Sequence, residues 1–340
     1  MNDRYYQWIG AYQKALENPE LEWQKTDKYN IGLELELFAS RLNFMVDLYQ
    51  QKTSNLLSSM DLPLSNGFTS YVANIGKKED KGFELKATAF LVRNLEKRII
   101  WSVTGTMVHN QDKILKLSPA LVDMYNKILS EGGTLPNNIL REGESQYTIY
   151  AVRSLGIDPS TGNELFLKKN GDVTYTWDAN DRVACGLSQP KYRGNFSSMF
   201  RYRDFSLNVT FAYRLGGQLY NSTLVSKVEG ADMRYNVDER VWKNRWQDPG
   251  DRAAYKSLYN ESVTYPTSRF VQNESTLSLQ NIYLSYSFQN NRWLKDNLRI
   301  SNLTLGANIS DLFYVSTVKQ ERGLSYPYSR RFSFTLGVQF

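Results

Sequence analysis

Residues 31–48 read Ile31-Gly32-Leu33-Glu34-Leu35-Glu36-Leu37, then Phe38-Ala39-Ser40-Arg41, then Leu42-Asn43-Phe44-Met45-Val46-Asp47-Leu48. Ile31, Leu33, Leu35 and Leu37 share one face, and Gly32, Glu34 and Glu36 share the other. That is the two-residue period of a β-strand. Leu42, Phe44, Val46 and Leu48 alternate with Asn43, Met45 and Asp47 in the same way. The four residues between the two runs make a turn. The stretch therefore predicts an antiparallel hairpin with one apolar and one polar face.

The same pattern recurs along the chain. Phe83, Leu85, Ala87, Ala89 and Leu91 oppose Glu84, Lys86 and Thr88. Trp101, Val103 and Met107 oppose Ser102, Thr104 and Thr106. Phe196, Phe200 and Tyr202 lead into Leu207, Val209, Phe211, Tyr213 and Leu215. Runs of the same kind occupy 279–289, 298–310 and 331–340. Nine strands are predicted in all. The region 145–187 adds up to two more, from 147–152, 164–167 and 173–177. The connections after Leu37, Leu91 and Tyr202 are short, and that after Phe288 is somewhat longer. Those after Leu48, Met107, Leu215 and Ile309 are long. Alternating short and long connections mark an outer-membrane barrel. The spacing also predicts short helices over 119–129, with Ser118 as N-cap, and over 237–246.

A soluble sheet would cover its apolar face with a second layer. No regular helices lie between these strands to provide one, and lipid supplies the alternative cover. Glu34, Glu36, Asp47, Glu84, Lys86, Arg214 and Arg331 on the opposite face suit a wet lumen and would be costly in a dry core. Tyr29, Tyr49, Trp101, Tyr202, Tyr213, Trp293 and Tyr328 fit interfacial girdles at the strand ends. No apolar run is long enough for a membrane-spanning helix. The fold class expected is all-β, an antiparallel transmembrane β-barrel.

Catalysis and metal binding find little material. His109 is the one histidine and Cys185 the one cysteine, so no catalytic residue, cofactor site or metal site is assigned. Asp178-Ala179-Asn180-Asp181 offers oxygens for Ca²⁺ but matches no complete Ca²⁺-binding loop, and a turn explains it better. Asn208-Val209-Thr210 and Asn302-Leu303-Thr304 lie within strands, where glycosylation is discounted. The net charge of +6 is spread among acids and implies no nucleic-acid partner. Trp242, Trp246, Tyr255 and Tyr259 stand in a long loop. They either contact a substrate or pack the loop itself.

Several segments, in order along nearly the whole chain, resemble the C-terminal third of SusC/RagA-family TonB-dependent transporters of Bacteroidota. Asn18-Pro19-Glu20-Leu21-Glu22-Trp23 with Asn30-Ile31-Gly32-Leu33 is one such segment, and Asp47-Leu48-Tyr49 with Thr53 and Leu56-Leu57 is another. Asn74, Gly76, Gly82 and Glu84 follow. Gly156-Ile157-Asp158-Pro159 leads to Pro190, Lys191 and Gly194, and Tyr326-Pro327 with Arg330-Arg331 leads to the closing Phe340. Asn74, Gly76, Gly82, Glu84, Pro190, Lys191, Gly194 and Phe340 are read as structural motif positions, the glycines permitting bulges or close backbone approach.

The resemblance implies a barrel of about 22 strands around a plug, of which this chain would supply about 9–11. Residues 1–25 would be a segment entering the barrel and 26–340 its C-terminal part. The N-terminus carries no signal peptide pattern, and the expectation is a piece without plug or signal peptide that does not transport by itself. The implied activity is TonB-dependent import of oligosaccharides or peptides across the outer membrane, and not enzymatic. The implied partners are a SusD-like surface lipoprotein, TonB–ExbB–ExbD through the plug, the barrel-assembly machinery through the terminal strand, and outer-membrane lipid. The competing reading is a soluble or surface carbohydrate-binding or adhesive β-protein.

Overall fold

The computed structural model describes residues 4–5, 8–9, 13, 15–61, 67–68, 70–130, 136, 139–289, 291–319 and 329–340. The Tyr326-Pro327 motif and Tyr328 lie outside these residues. Arg4–Tyr5 (β1) and Trp8–Ile9 (β2) form a small ladder of their own. Among the described residues, nine strands form one antiparallel sheet: Lys25–Leu37 (β3), Leu42–Asp61 (β4), Ser70–Asn94 (β5), Ile99–Leu117 (β6), Tyr192–Tyr202 (β11), Phe205–Tyr220 (β12), Val271–Gln289 (β13), Asn302–Ser316 (β14) and Arg331–Gln339 (β15). Each pairs with the strand before and after it in this order, an up-and-down meander. The nine predicted strands are these nine. Among the described residues no helix is long and apolar enough to cross a membrane. The sheet does not close on itself, and β3 and β15 are its edges.

Register explains why the alternation was so regular. One row of paired residues crosses all nine strands: Leu37, Leu42, Ala89, Val103, Ser198, Val209, Ile282, Ile309 and Phe332. The next row, on the opposite face, is Glu36, Asn43, Thr88, Thr104, Ser197, Thr210, Asn281, Ser310 and Arg331. Side chains of paired residues point the same way, so one face is apolar in this row at every strand but β11, where Ser198 accepts from Trp101 Nε1, and the other is polar. Along the polar face Thr88 and Thr104 exchange a 3.0 Å hydrogen bond, as do Ser287 and Thr304. The apolar face is open: Leu33 is 53% exposed and Phe334 85%. Leu85 and Phe211 are half-buried by their strand neighbours alone.

The turns are asymmetric, as expected. Residues 38–41, 95–98 and 203–204 close one end, with Arg98 Nη2 2.8 Å from Asp204 Oδ1 tying two of them together. The connection after Gln289 holds a short helix, Arg292–Leu298 (α2), where a strand starting at 298 was expected. Asn291 caps it by accepting from the Leu294 amide, and Arg299 ends it in a left-handed conformation at φ 54°.

At three places among the described residues a tyrosine ring lies across a glycine of the next strand. A Cβ built on Gly82 would stand 2.6 Å from the Tyr49 hydroxyl oxygen, one on Gly194 2.8 Å from that of Tyr213, and one on Gly306 2.9 Å from that of Tyr283. Tyr49 reaches over Gly82 on β5 to donate to Asn110 Oδ1 on β6 at 3.0 Å. Tyr213 reaches over Gly194 on β11 to the Thr106 carbonyl on β6 at 2.8 Å. The Tyr49 and Tyr213 rings each bridge three strands. Tyr49 is thus a polar-face residue, because it shares the parity of Asp47, and the girdle position expected for it is corrected.

These contacts rank the glycines. At Gly194 a Cβ would also meet the Thr106 carbonyl oxygen at 1.9 Å, and backbone cannot move aside. At Gly306 the near atoms are all side chain. Gly194→Ala is expected to lower unfolding stability by about 1–3 kcal/mol, the range of overpacked sites, and Gly306→Ala by less. Chemical denaturation of the detergent-purified protein measures both, and equal losses at the two sites would contradict the ranking.

Candidate functional site

The buried core gathers at one end of the sheet, where Ile75 of β5 and Ile114 and Leu117 of β6 take part in it. This is the end where the strands run into long connections. The connection after β6 begins with a helix, Pro119–Ser130 (α1), whose first turn is held by the Ser118 carbonyl accepting from Leu121 and Val122 at 3.1 Å each. It continues into Thr148–Ile157 (β7), Glu164–Leu167 (β8), Val173–Thr174 (β9) and Arg182–Leu187 (β10). These strands make a separate four-stranded sheet in the order β10-β7-β8-β9. The strand character read at 145–187 is therefore real, but it belongs to a cap and adds nothing to the wall.

The connection after β12 lies against this cap sheet. Val152 donates to the Pro266 carbonyl at 3.1 Å, and Ser154 to Ser268 Oγ at 3.0 Å. Leu224, Val225, Val228 and Phe270 cluster with Tyr220 and Tyr255. Ile75, Ile114, Leu117 and Leu121 cluster with Leu56, Tyr125 and Leu140, and Ile139 joins Tyr150. Asp112, buried near the end of β6, accepts from the Gln146 amide at 2.9 Å and from Ser145 Oγ, which fixes the cap to the wall.

Residues 237–246 do not form the helix expected of them. Asp238 caps one 3-10 turn, Glu239–Val241, and Asn244 takes φ 56°, which ends it. Arg245 is the physical reason for the irregular path. Its guanidinium is buried and donates to the carbonyls of Val241 at 2.7 Å, Lys256 at 3.0 Å, Val228 at 2.6 Å and Glu229 at 3.1 Å. Five donors on one side chain can organise a loop that has no secondary structure of its own.

A second arginine holds the cap sheet to the same loop. Arg269 pairs with Glu164 Oε2 at 2.8 Å and Glu229 Oε2 at 2.5 Å, and donates to the Ala254 carbonyl at 2.7 Å. All three side chains are nearly or fully buried. Burial opposes the Arg269 charge, but the hydrogen bonds it donates to Glu229 and Glu164 outweigh that and hold its pKa above the ordinary value. Burial lowers the pKa of Lys256 nearby. Sequence reading missed this network because Glu164 and Arg269 lie 105 residues apart, and each passes for an ordinary scattered charge.

The four aromatic candidates separate into two pairs. Trp242 is 65% exposed and Tyr259 97%. Trp246 instead lies on Gly162, where a Cβ would meet its ring at 2.6 Å, and its Nε1 donates to the Pro159 carbonyl at 2.9 Å. Tyr255 packs on the Val228–Phe270 cluster. Trp177 and Tyr265 stack at 4.3 Å. Two clefts of about 710 and 650 Å³ open beside the cap. The first is lined by His109, Asp112, Lys113, Glu144, Lys191 and Gln218 among others, and the second by Tyr147, Ile149, Ser188, Leu219 and Tyr220 among others. The first mixes both signs of charge with amide groups, so it offers a binding surface and no nucleophile–base pair. His109 is within β6 rather than at a strand end, and its Nδ1 lies 2.6 Å from the Lys191 carbonyl.

The motif positions sit at joints. The Asn74 side-chain amide donates to the carbonyls of Glu22 and Asn55 at 2.9 Å each, and its oxygen accepts from the Glu22 amide at 2.8 Å, clamping residues 18–24 onto the sheet. Gly76, at φ 143°, marks a bulge between β4 and β5. Pro190 and Lys191 pack on Gly217 and Gly216. Glu84 is exposed on the polar face, and Phe340 is 84% exposed beyond β15. Asp178 accepts from the Asn180 amide at 2.8 Å and Asp181 from the Lys169 amide at 3.0 Å, so both serve turns. No cluster able to hold a metal ion occurs among the described residues.

Residues 1–221 match the family model described as "TonB dependent receptor-like, beta-barrel". The TonB-dependent receptor P39 of Formosa agariphila is 27% identical over 91% of the chain and 33% of its own length. The TonB-dependent receptor SusC of Bacteroides thetaiotaomicron is 24% identical over 94% of the chain and 32% of its own length. The chain thus spans about a third of these relatives. Among solved structures, the RagAB peptide importer in its closed-closed state superposes with a TM-score of 0.76 at 23% identity, covering 100% of this chain and 38% of that one. At that identity the likeness is one of fold.

Proposed function

Because the chain belongs to the TonB-dependent receptor-like β-barrel family, we propose that it forms the C-terminal part of the wall and outer cap of an outer-membrane nutrient importer. The chain is an outer-membrane β-barrel chain and not an enzyme. The observation that carries the proposal is the pair of rows crossing all nine strands, one apolar and open, one polar. Lipid covers the first and an aqueous lumen the second. The remaining strands pair along the β3 and β15 edges, since bare edges are not tolerated in hydrocarbon.

The short turns then face the periplasm and the cap faces outward. A SusD-like surface lipoprotein docks on the cap end, where Trp242 and Tyr259 are exposed. TonB with ExbB and ExbD acts through a plug, and the terminal strand ending in Phe340 engages the barrel-assembly machinery. The cargo is a peptide or an oligosaccharide.

Uptake in cells tests this. The receptor carrying this chain is expected to support growth on peptides or oligosaccharides as the limiting nutrient. Deleting residues 221–270 should abolish that growth while the barrel stays in the outer membrane. Uptake that persists without TonB, or that ignores the deletion, overturns the assignment.

A further inference from the structure

Arg182 opens β10 at the centre of the cap and is 0% exposed. Its Nε, Nη1 and Nη2 have no hydrogen-bond partner among the described residues. The side chain is backed by the Trp177 ring at 5.2 Å, which contributes a cation–π contact but accepts no hydrogen bond in the guanidinium plane. A sealed cation without acceptors is costly by several kcal/mol. Among the described residues no carboxylate hydrogen-bonds to it. Glu164 and Glu229 are the acids of this region, and Arg269 engages both.

Two hydroxyls share the condition. Thr267 is fully buried and its Oγ1 has no partner, and neither has the Tyr220 hydroxyl. Arg182 and Thr267 flank one residue: Val152 pairs with Arg182 in the cap sheet and bridges to Thr267. The Tyr220 ring packs edge-on against Phe270 at 6.0 Å, three residues beyond Thr267. A buried guanidinium and two hydroxyls, all without a hydrogen-bond partner among the described residues, thus stand on adjoining segments of the cap. Each hydroxyl can rotate to donate.

We propose that the cap binds one small monovalent anion, halide in size, between the Arg182 guanidinium and the hydroxyls of Tyr220 and Thr267. The groups come from the cap sheet, the end of β12 and the loop ahead of β13, so the anion pins three separate segments together. Water alone would satisfy the donors and leave the charge. A carboxylate on a larger ligand cannot reach a site this sealed without opening the cap.

Bromide is the probe. The full-length receptor, purified from outer membranes, is crystallised in sodium bromide, and data are collected at the bromine edge. In parallel, protease resistance of residues 221–270 is followed at equal ionic strength in bromide, chloride and gluconate. The expected result is one bromide within hydrogen-bond distance of Arg182, with several-fold slower cleavage in either halide than in gluconate. Arg182→Met should remove both effects. Because that variant risks misfolding the cap, the double variant Tyr220→Phe/Thr267→Val is the second arm: the charge remains, and the bromide occupancy and halide protection should fall. Anion-independent cleavage without a bromide peak overturns the proposal. So does a peak that survives Arg182→Met, which marks an adventitious ion only.

Discussion

Arginine in place of Val209 lowers the unfolding free energy of the membrane-embedded protein by about 2–4 kcal/mol, the cost of a guanidinium on the lipid face near the bilayer centre. Arginine in place of Thr210, the next residue along the same strand, changes it by less than about 1 kcal/mol. The two sites have the same backbone and the same neighbours in β11 and β13. They differ in which row they join. Val209 lies between Ser198 and Ile282 on the apolar row, and Thr210 between Ser197 and Asn281 on the polar one. Guanidinium titration in liposomes, with the gel shift of the heated and unheated protein as a check, reads both. Equal effects at the two positions would mean that Val209 does not face hydrocarbon.

Arg269→Met is expected to have an effect of similar size, confined to the cap. It leaves Glu164 and Glu229 buried, with side chains 9% and 0% exposed, and without the guanidinium that satisfies both. Breaking one side of such a group costs about 3–5 kcal/mol, because an uncompensated charge stays in low dielectric. The prediction is rapid proteolytic cleavage within residues 221–270 while the wall keeps its resistance. Glu164→Gln and Glu229→Gln added to Arg269→Met remove the stranded charges and should restore most of the protection. If the triple variant is cut as fast as the single one, Arg269 acts by its packing against Phe270, whose ring lies 4.4 Å away, and not by its charge.

The wall was legible in the sequence because lipid imposes one rule on every strand at once. Leu33, Val209 and Phe332 obey it without reference to anything distant. The rule stops where the lipid stops. β4 and β5 run on through Gln50-Gln51-Lys52 and Lys77-Lys78-Glu79-Asp80-Lys81, where both faces are wet and no alternation is required. The strand ends were therefore drawn too short. The cap was illegible for a different reason. Its order comes from contacts such as Arg269 with Glu164 and Trp246 with Gly162, which local pattern cannot show. Tryptophan and tyrosine in a loop carry no mark that separates Trp246, pressed on a glycine, from Trp242 in the open.

The wall's two rows share no residue with the three apolar clusters, and the wall meets the cap through few positions, Ile75, Ile114 and Leu117 among them. Mutational drift in one need not be answered in the other. A lineage carrying this architecture can keep its cylinder and vary the crown, provided that the residues at that seam are kept.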